Sequence, residues 1–299
     1  RRHRADLRAD FSGVTLLGRV GDDEPLVRSF LAHFFLTETT FAAYEPYVND
    51  QYLKHRFAET KILNGRGDME EWYSMLPPAE YQRLKERVDL DFAPSNPRFF
   101  AADAKVSLDV DVKNVPTLIV KVYRVNAANY YQDQARQVRT DINLDGLVPN
   151  EELTFQYEDP PLRRIRRHFD FPSLSEPGLY VVDFIGSGKN SRVLLQKGKL
   201  HHVLRTTPAG LAFTVLDEQN RPLPDAKLWM GGQDYSADSN GEILVPFSTK
   251  PGVQPVILMH GSTVTLDRFY HAAENYELHS GIFVDRESLL SNRVTQVLI

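Results

Sequence analysis

Apolar residues first recur at a helical period. Between residues 24 and 44 they fall at Leu26, Val27, Phe30, Leu31, Phe34, Phe35, Phe41 and Tyr44. Spacings of three and four place most of them on one face of a helix. Asp23 and Glu24 ahead of Pro25 supply a start signal. A second helix is predicted over residues 47 to 62, ended by Asn64 and Gly65. A third runs over 78 to 88, opened by Pro78, with Tyr81, Leu84 and Val88 turned inward. Residues 1 to 93 therefore read as a helical lead-in whose aromatic stripe is core.

After the turn-forming run APSNP at 93 to 97 the period drops to two. Val106, Leu108, Val110 and Val112 alternate with polar partners, the pattern of a strand with one face in water. Residues 116 to 125 are β-branched and largely apolar, as in a more central strand. Further strands are predicted over 154 to 157, 165 to 171 and 179 to 185. The densest stretch, 178 to 247, sets strand after strand, with Gly, Asn, Asp and Pro clustered at each break. The predicted fold class is mainly β, as tandem immunoglobulin-like β-sandwich modules behind a helical N-terminal region. The expected boundaries are a helical region over 1 to 93, one module over 94 to 207, a second over 208 to 270, and the start of a following segment over 271 to 299. In the second module strands are expected at 211 to 216, 226 to 230, 243 to 247 and 256 to 259.

Composition narrows the class without naming a ligand. The chain has 299 residues, 42% hydrophobic and 25% charged, with a formal net charge of −5. Those are ordinary values for a globular protein, and the charge gives no general attraction to nucleic acid or anionic membranes. The longest apolar run, residues 30 to 36, is broken by His33 and falls well short of the roughly 18 to 20 residues that span a bilayer. There is no cysteine, so disulfides, thiolate metal sites and a cysteine nucleophile are excluded. Arg1, Arg2, Arg4 and Arg8 read as a solvated lead-in. The first residue is not Met, and the last seven look like a strand that continues, so a piece of a longer protein is expected.

One local motif points to chemistry. Residues 141 to 152, DINLDGLVPNEE, fit a calcium loop: Asp141, Asn143 and Asp145 would offer side-chain oxygens, Leu147 its carbonyl and Glu152 a bidentate carboxylate, with Gly146 at the bend. The alternative is a polar loop whose Asp and Asn side chains bond to their own backbone. It takes precedence because Leu153, Phe155 and Tyr157 alternate like a strand, where a calcium loop needs an exiting helix. GSGKNS at 186 to 191 lacks the spacing of a phosphate loop and reads as a hairpin turn. RRIRRH at 163 to 168 puts Arg164, Arg166 and His168 on one side of a strand, where they should pair with acidic neighbours. His201 and His202 point to opposite faces. No nucleophile, base and orienter stand at recognisable spacing, so no enzyme activity is expected.

The order of strands and turns resembles the macroglobulin-type domains of the alpha-macroglobulin superfamily. The resemblance rests on the strands over 99 to 126, then Pro177, Gly178 and Tyr180, then Asp217, Pro222 or Pro224, Ala226, Asp238 and Gly241, and finally Asp285 and Arg286, across residues 97 to 299. It implies macroglobulin-like sandwiches in a non-catalytic structural or protein-binding segment of a larger surface or periplasmic protein. Its partners would be other domains of the same protein and proteins such as proteases, with a periplasmic, cell-surface or secreted location. The thioester of that superfamily needs a cysteine, which this segment lacks. The alternative is an accessory β-sandwich of a secreted enzyme whose catalytic domain lies elsewhere.

Overall fold

Helix α1 (Glu24–Phe35) carries two neighbouring apolar rows, and in the computed structural model only one of them is buried. Leu31 and Phe35 are buried and Val27 packs beside them, one turn apart along the helix. Leu26, Phe30 and Phe34 form the next row round and stay exposed, at 59%, 55% and 44%. The expected single face is thus too wide for the surface it meets. The structure describes residues 24–277 together with 279–281, 283, 286, 290–292 and 294. The arginines at 1, 2, 4 and 8, Asp285 and, Val294 apart, the strand expected over 293 to 299 lie outside the described residues.

Helix α2 (Asp50–Asn64) starts where the Asn49 side chain accepts from the N–H groups of Gln51 and Tyr52, at 3.0 and 3.1 Å. It ends at Gly65, which is left-handed at φ +58° and returns its N–H to Ile62. A side chain at Gly65 would also strike Arg163, whose Nη1 lies 1.4 Å from where a Cβ would sit. Helix α3 (Met69–Ser74), capped by Asp68, has no counterpart among the predicted elements. Helix α4 (Pro78–Glu86) begins on its proline as expected. The four helices close around Phe57, whose ring meets Phe35 at 5.1 Å, Trp72 at 5.5 Å and Phe41 at 5.6 Å.

The alternating segments build two sheets face to face. One has the order β1 (Asp89–Phe92), β3 (Ser107–Lys113), β6 (Arg164–Asp170), all antiparallel. The other has the order β2 (Phe99–Phe100), β8 (Lys189–Lys197), β7 (Gly178–Gly186), β4 (Thr117–Val125), β5 (Glu151–Gln156). Strand β2 runs parallel to β8, and the other pairs are antiparallel. Leu108, Val110, Val120, Val182 and Phe184 are among the residues that fill the space between them. Phe184 sits edge-on to Phe92 and Phe169 at 5.4 and 5.1 Å. The run at 186 to 191 is the β7–β8 hairpin, with φ positive at Ser187 and Gly188 as a tight two-residue turn requires. Strand β1 lies inside the span expected to be helical, because Leu90 and Phe92 are needed on the sandwich core. Helix α5 (Ala127–Gln134) follows β4.

The described chain divides into two compact units, residues 24–130 with 137–199, and 131–136 with the described residues from 200 onward. In the second unit one sheet has the order β13 (Glu242–Val245), β10 (Gly210–Leu216), β9 (His201–Thr207). The other has β12 (Gln233–Ser236), β11 (Lys227–Met230), β14 (Gly252–His260), β15 (Thr263–His271). Phe213, Leu228, Ile243, Val256 and Phe269 belong to its core. Strand β9 pairs with β10 along its whole length, so this unit starts ahead of the expected 208, and Thr207 sits at a hairpin. Strand β15 extends it through 271, beyond the expected 256 to 259 strand. Among the described residues no helix is long and apolar enough to cross a membrane.

Phe184→Ala should lower the stability of the first unit by about 3–5 kcal/mol, because Phe92, Phe169 and Phe171 lose their common ring partner. Chemical denaturation followed by circular dichroism checks this, and a change under about 1 kcal/mol would refute the packing described.

Candidate functional site

Glu59 is the residue on which the charged groups of the first unit converge. It lies on α2 with Arg56 one turn before it, and its side chain is only 13% exposed. Oε1 accepts from Arg28 Nη2 of α1 at 3.0 Å and from Arg87 Nη1, just past α4, at 2.7 Å. Oε2 accepts from Arg56 Nη1. Arg87 also donates Nε and Nη2 to the two oxygens of Asp89 on β1, at 2.9 and 3.0 Å. That bidentate pair is the stronger kind of ion pair and sets geometry as well as charge. On α4, Glu80 holds His55 Nδ1 at 3.1 Å and Arg83 Nη2 at 3.6 Å.

These groups wall two cavities that share Arg28, Arg56, Glu59 and Arg87. One, of about 220 Å³, is closed by His55, Glu80 and Arg83. The other, of about 340 Å³, is closed by Asp89, Asp91 and Arg164. Burial alone would raise the Glu59 carboxyl, but Arg56, Arg28 and Arg87 overcome it and hold the group below its ordinary value. Lys113 on β3 is buried and donates Nζ to the Arg87 carbonyl at 2.6 Å. Burial pulls its ammonium down from 10.5 to about 8, against the attraction of Asp89.

The outward face of the three-stranded sheet continues the charge pairing. Arg164 reaches Asp91 at 3.2 Å and Asp111 at 3.4 Å, and Arg166 grips Asp111 through two bonds of 2.9 and 3.0 Å. His168 sits between Asp109 at 2.7 Å and Asp170 at 3.3 Å, and its hydrogen bond to Asp109 raises its pKa above the ordinary histidine value. The basic run at 163 to 168 is therefore a row of cross-strand ion pairs, as its alternation predicted.

The calcium-loop residues do not come together. Glu152 lies on β5 and pairs with Lys121 at 3.4 Å. Asp141 points to solvent beside Arg139, and Asn143 accepts from the Asp145 N–H at 2.8 Å, which is the local bonding of a polar loop. Leu147 is exposed, at 56%. The apolar members of the segment decide its pose: Leu144 is buried and Ile142 half-buried against Tyr123 and Val181. Arg192 ties the loop down by donating to the carbonyls of Thr140 and Ile142, at 3.1 and 2.8 Å. Among the described residues no group of three or more His, Asp or Glu is placed to hold a metal ion.

The Glu59 cluster escaped the sequence reading. Arg56 and Glu59, and Glu80 and Arg83, stand three apart on helices and were visible as local pairs. Arg28 and Arg87 come from distant segments and carried no such signal.

Known proteins supply a second view of the whole chain. Residues 1–88 match a family model described as the actin-binding protein F N-terminal domain. Residues 118–198 match one described as the AbpF first immunoglobulin-like domain. The curated actin-binding protein F of Dictyostelium discoideum is 35% identical over 297 residues, 97% of this chain. The likeness is to actin-binding protein F. The chain spans 12% of the length of that relative. Among solved structures, domains MG0-NIE-MG1 of Escherichia coli alpha-2-macroglobulin are 14% identical, over 60% of this chain and 63% of that one, at a TM-score of 0.41. A chimeric titin Z1Z2 tandem is 15% identical, over 63% of this chain and 99% of that one, at a TM-score of 0.30. The expected periplasmic, cell-surface or secreted location is overturned by the likeness to an actin-binding protein, and the matching family models are not those of macroglobulins.

Glu59→Gln should destabilise the first unit by about 1–3 kcal/mol, since three partly exposed arginines lose a charged acceptor. The wild-type advantage should be present above pH about 4.5 and vanish as the pH falls through the lower folded value. Denaturation of both proteins between pH 3 and 7 checks it, and parallel curves would refute it. For Lys113 the sign is opposite. The unfolded chain binds the proton that the folded chain has released between pH 8 and 10.5, so stability gains with pH across that window. Lys113→Met should lack that gain when denaturation of both proteins is followed between pH 8 and 10.5.

Proposed function

We propose that this chain is a non-catalytic, protein-binding segment of an actin-associated protein of the actin-binding protein F kind, working in the cytoplasm. The observation that carries the reading is the 35% identity running through 297 residues. It extends across the helical cluster and both sandwiches, so the likeness is to the whole arrangement and not to one common module. On this reading the helical cluster provides one recognition surface.

The surface we assign to a protein partner is the exposed row of α1. Leu26, Phe30 and Phe34 stand four apart, with Leu36 and Tyr47 also exposed, at 38% and 70%. Large apolar side chains at that spacing are how a helix meets a protein groove. They take no part in the packing around Phe57, where Leu31 and Phe35 do that work.

Sedimentation of the purified chain with actin filaments tests the reading. The expected result is saturable pelleting with filaments, reduced at least about tenfold in affinity by Phe30→Ser with Phe34→Ser, at an unchanged melting temperature. A chain that stays in the supernatant at saturating actin would overturn actin association. Pelleting that the double variant leaves intact would remove α1 from the contact.

A further inference from the structure

We propose that the cleft walled by Arg28, Arg56 and Arg83 binds a phosphate group. The inference does not rest on the reading as an actin-associated segment. It starts from an imbalance in the 220 Å³ cavity. Arg87 is neutralised by its bidentate bond to Asp89. That leaves three arginines, one from each of α1, α2 and α4, facing Glu59 and Glu80. One positive charge is in excess.

A purely structural cluster would use its donors on its own acids, and this one leaves many unused. A guanidinium carries five N–H donors. Glu59 takes one from Arg28 and one from Arg56. Arg56 Nε is buried with no partner among the described residues, a costly condition for a donor. Arg83 is 74% exposed and, among the described residues, its side chain is held only by Glu80 at 3.6 Å, beyond hydrogen-bonding distance. Arg28 is 43% exposed on its side of the cavity. Glu59 thus acts as the orienter: it fixes two guanidinia at the cavity wall.

Phosphate fits that wall better than a carboxylate. A phosphate monoester carries about −1.5 to −2 charge near neutral pH and three acceptor oxygens. Three guanidinia arriving from three helices can each meet a different oxygen, whereas a carboxylate has two oxygens and one charge. Arginine is also the side chain whose planar fork matches phosphate.

The test uses the whole chain and four probes: inorganic phosphate, inositol hexakisphosphate, and neutral vesicles with and without a phosphoinositide. Titration calorimetry and thermal melting are read against chloride at matched ionic strength. Saturable binding of a soluble phosphate with a raised melting temperature supports the site, provided that Arg83→Gln weakens it about tenfold and Arg28→Gln with Arg83→Gln abolishes it. Arg83→Gln serves as the variant that keeps the fold, since its side chain is mostly in water. Binding to phosphoinositide vesicles that the same variants remove also supports it and assigns the phosphate to a lipid headgroup. Soluble binding without vesicle binding supports it and assigns a free phosphate compound. No response to any probe beyond the chloride control overturns the proposal, as does phosphate binding that survives the double variant.

Discussion

A single buried carboxylate ties by charge the segments that also meet around Phe57. Glu59 takes an arginine from α1, one from its own helix, and one from the chain leaving α4. Removing ions from water is costly, and the cost is met only where geometry and hydrogen bonding are good on every side. Here the third arginine, Arg87, passes the constraint onward to Asp89 on β1. The helical cluster and the first sandwich are therefore linked by charge as well as by apolar contact. Leu162 packs on the helical cluster from the strand side, and Arg163 lies over Gly65 at the end of α2.

The apolar interiors on either side of that link are separate. Phe57 gathers the helices and Phe184 gathers the sheets, each by edge-to-face ring contacts near 5 Å. Such contacts add direction to burial, which by itself has none. The same separation explains why α1 shows two apolar rows. The helical cluster offers one groove, which takes Val27, Leu31 and Phe35, and the neighbouring row has nothing of its own unit to cover it among the described core.

The segment at 141 to 152 shows how packing overrides a motif. Its acids, asparagine and glycine have the spacing of a cation loop, but Ile142 and Leu144 are apolar and pack on the sheet. Burying Leu144 and Ile142 on the outer face of the five-stranded sheet turns Asp141 and Asp145 outward. Pairing β5 with β4 then sets Glu152 beside Lys121. A ligand set needs all its oxygens on one side, and this packing divides them.

Period alone determined the helical lead-in, most of the strands and the hairpin at 186 to 191, because each depends on neighbours two to four residues apart. The ion pairs of β6 were legible for the same reason, since Arg164, Arg166 and His168 share one face of a strand. What depended on distant partners was not legible. Helix α3 is six residues long, too short for a periodic signal, and it exists because Trp72 is buried against Phe57. Strand β1 was absorbed into the helical region because its role comes from pairing with β3. The start of the second unit was placed late because β9 looks the same from either side of the boundary, and only its pairing with β10 assigns it. The Glu59 cluster is the clearest case: a charge on a surface helix reads as solvated until tertiary structure brings Arg28 and Arg87 to it and removes the water.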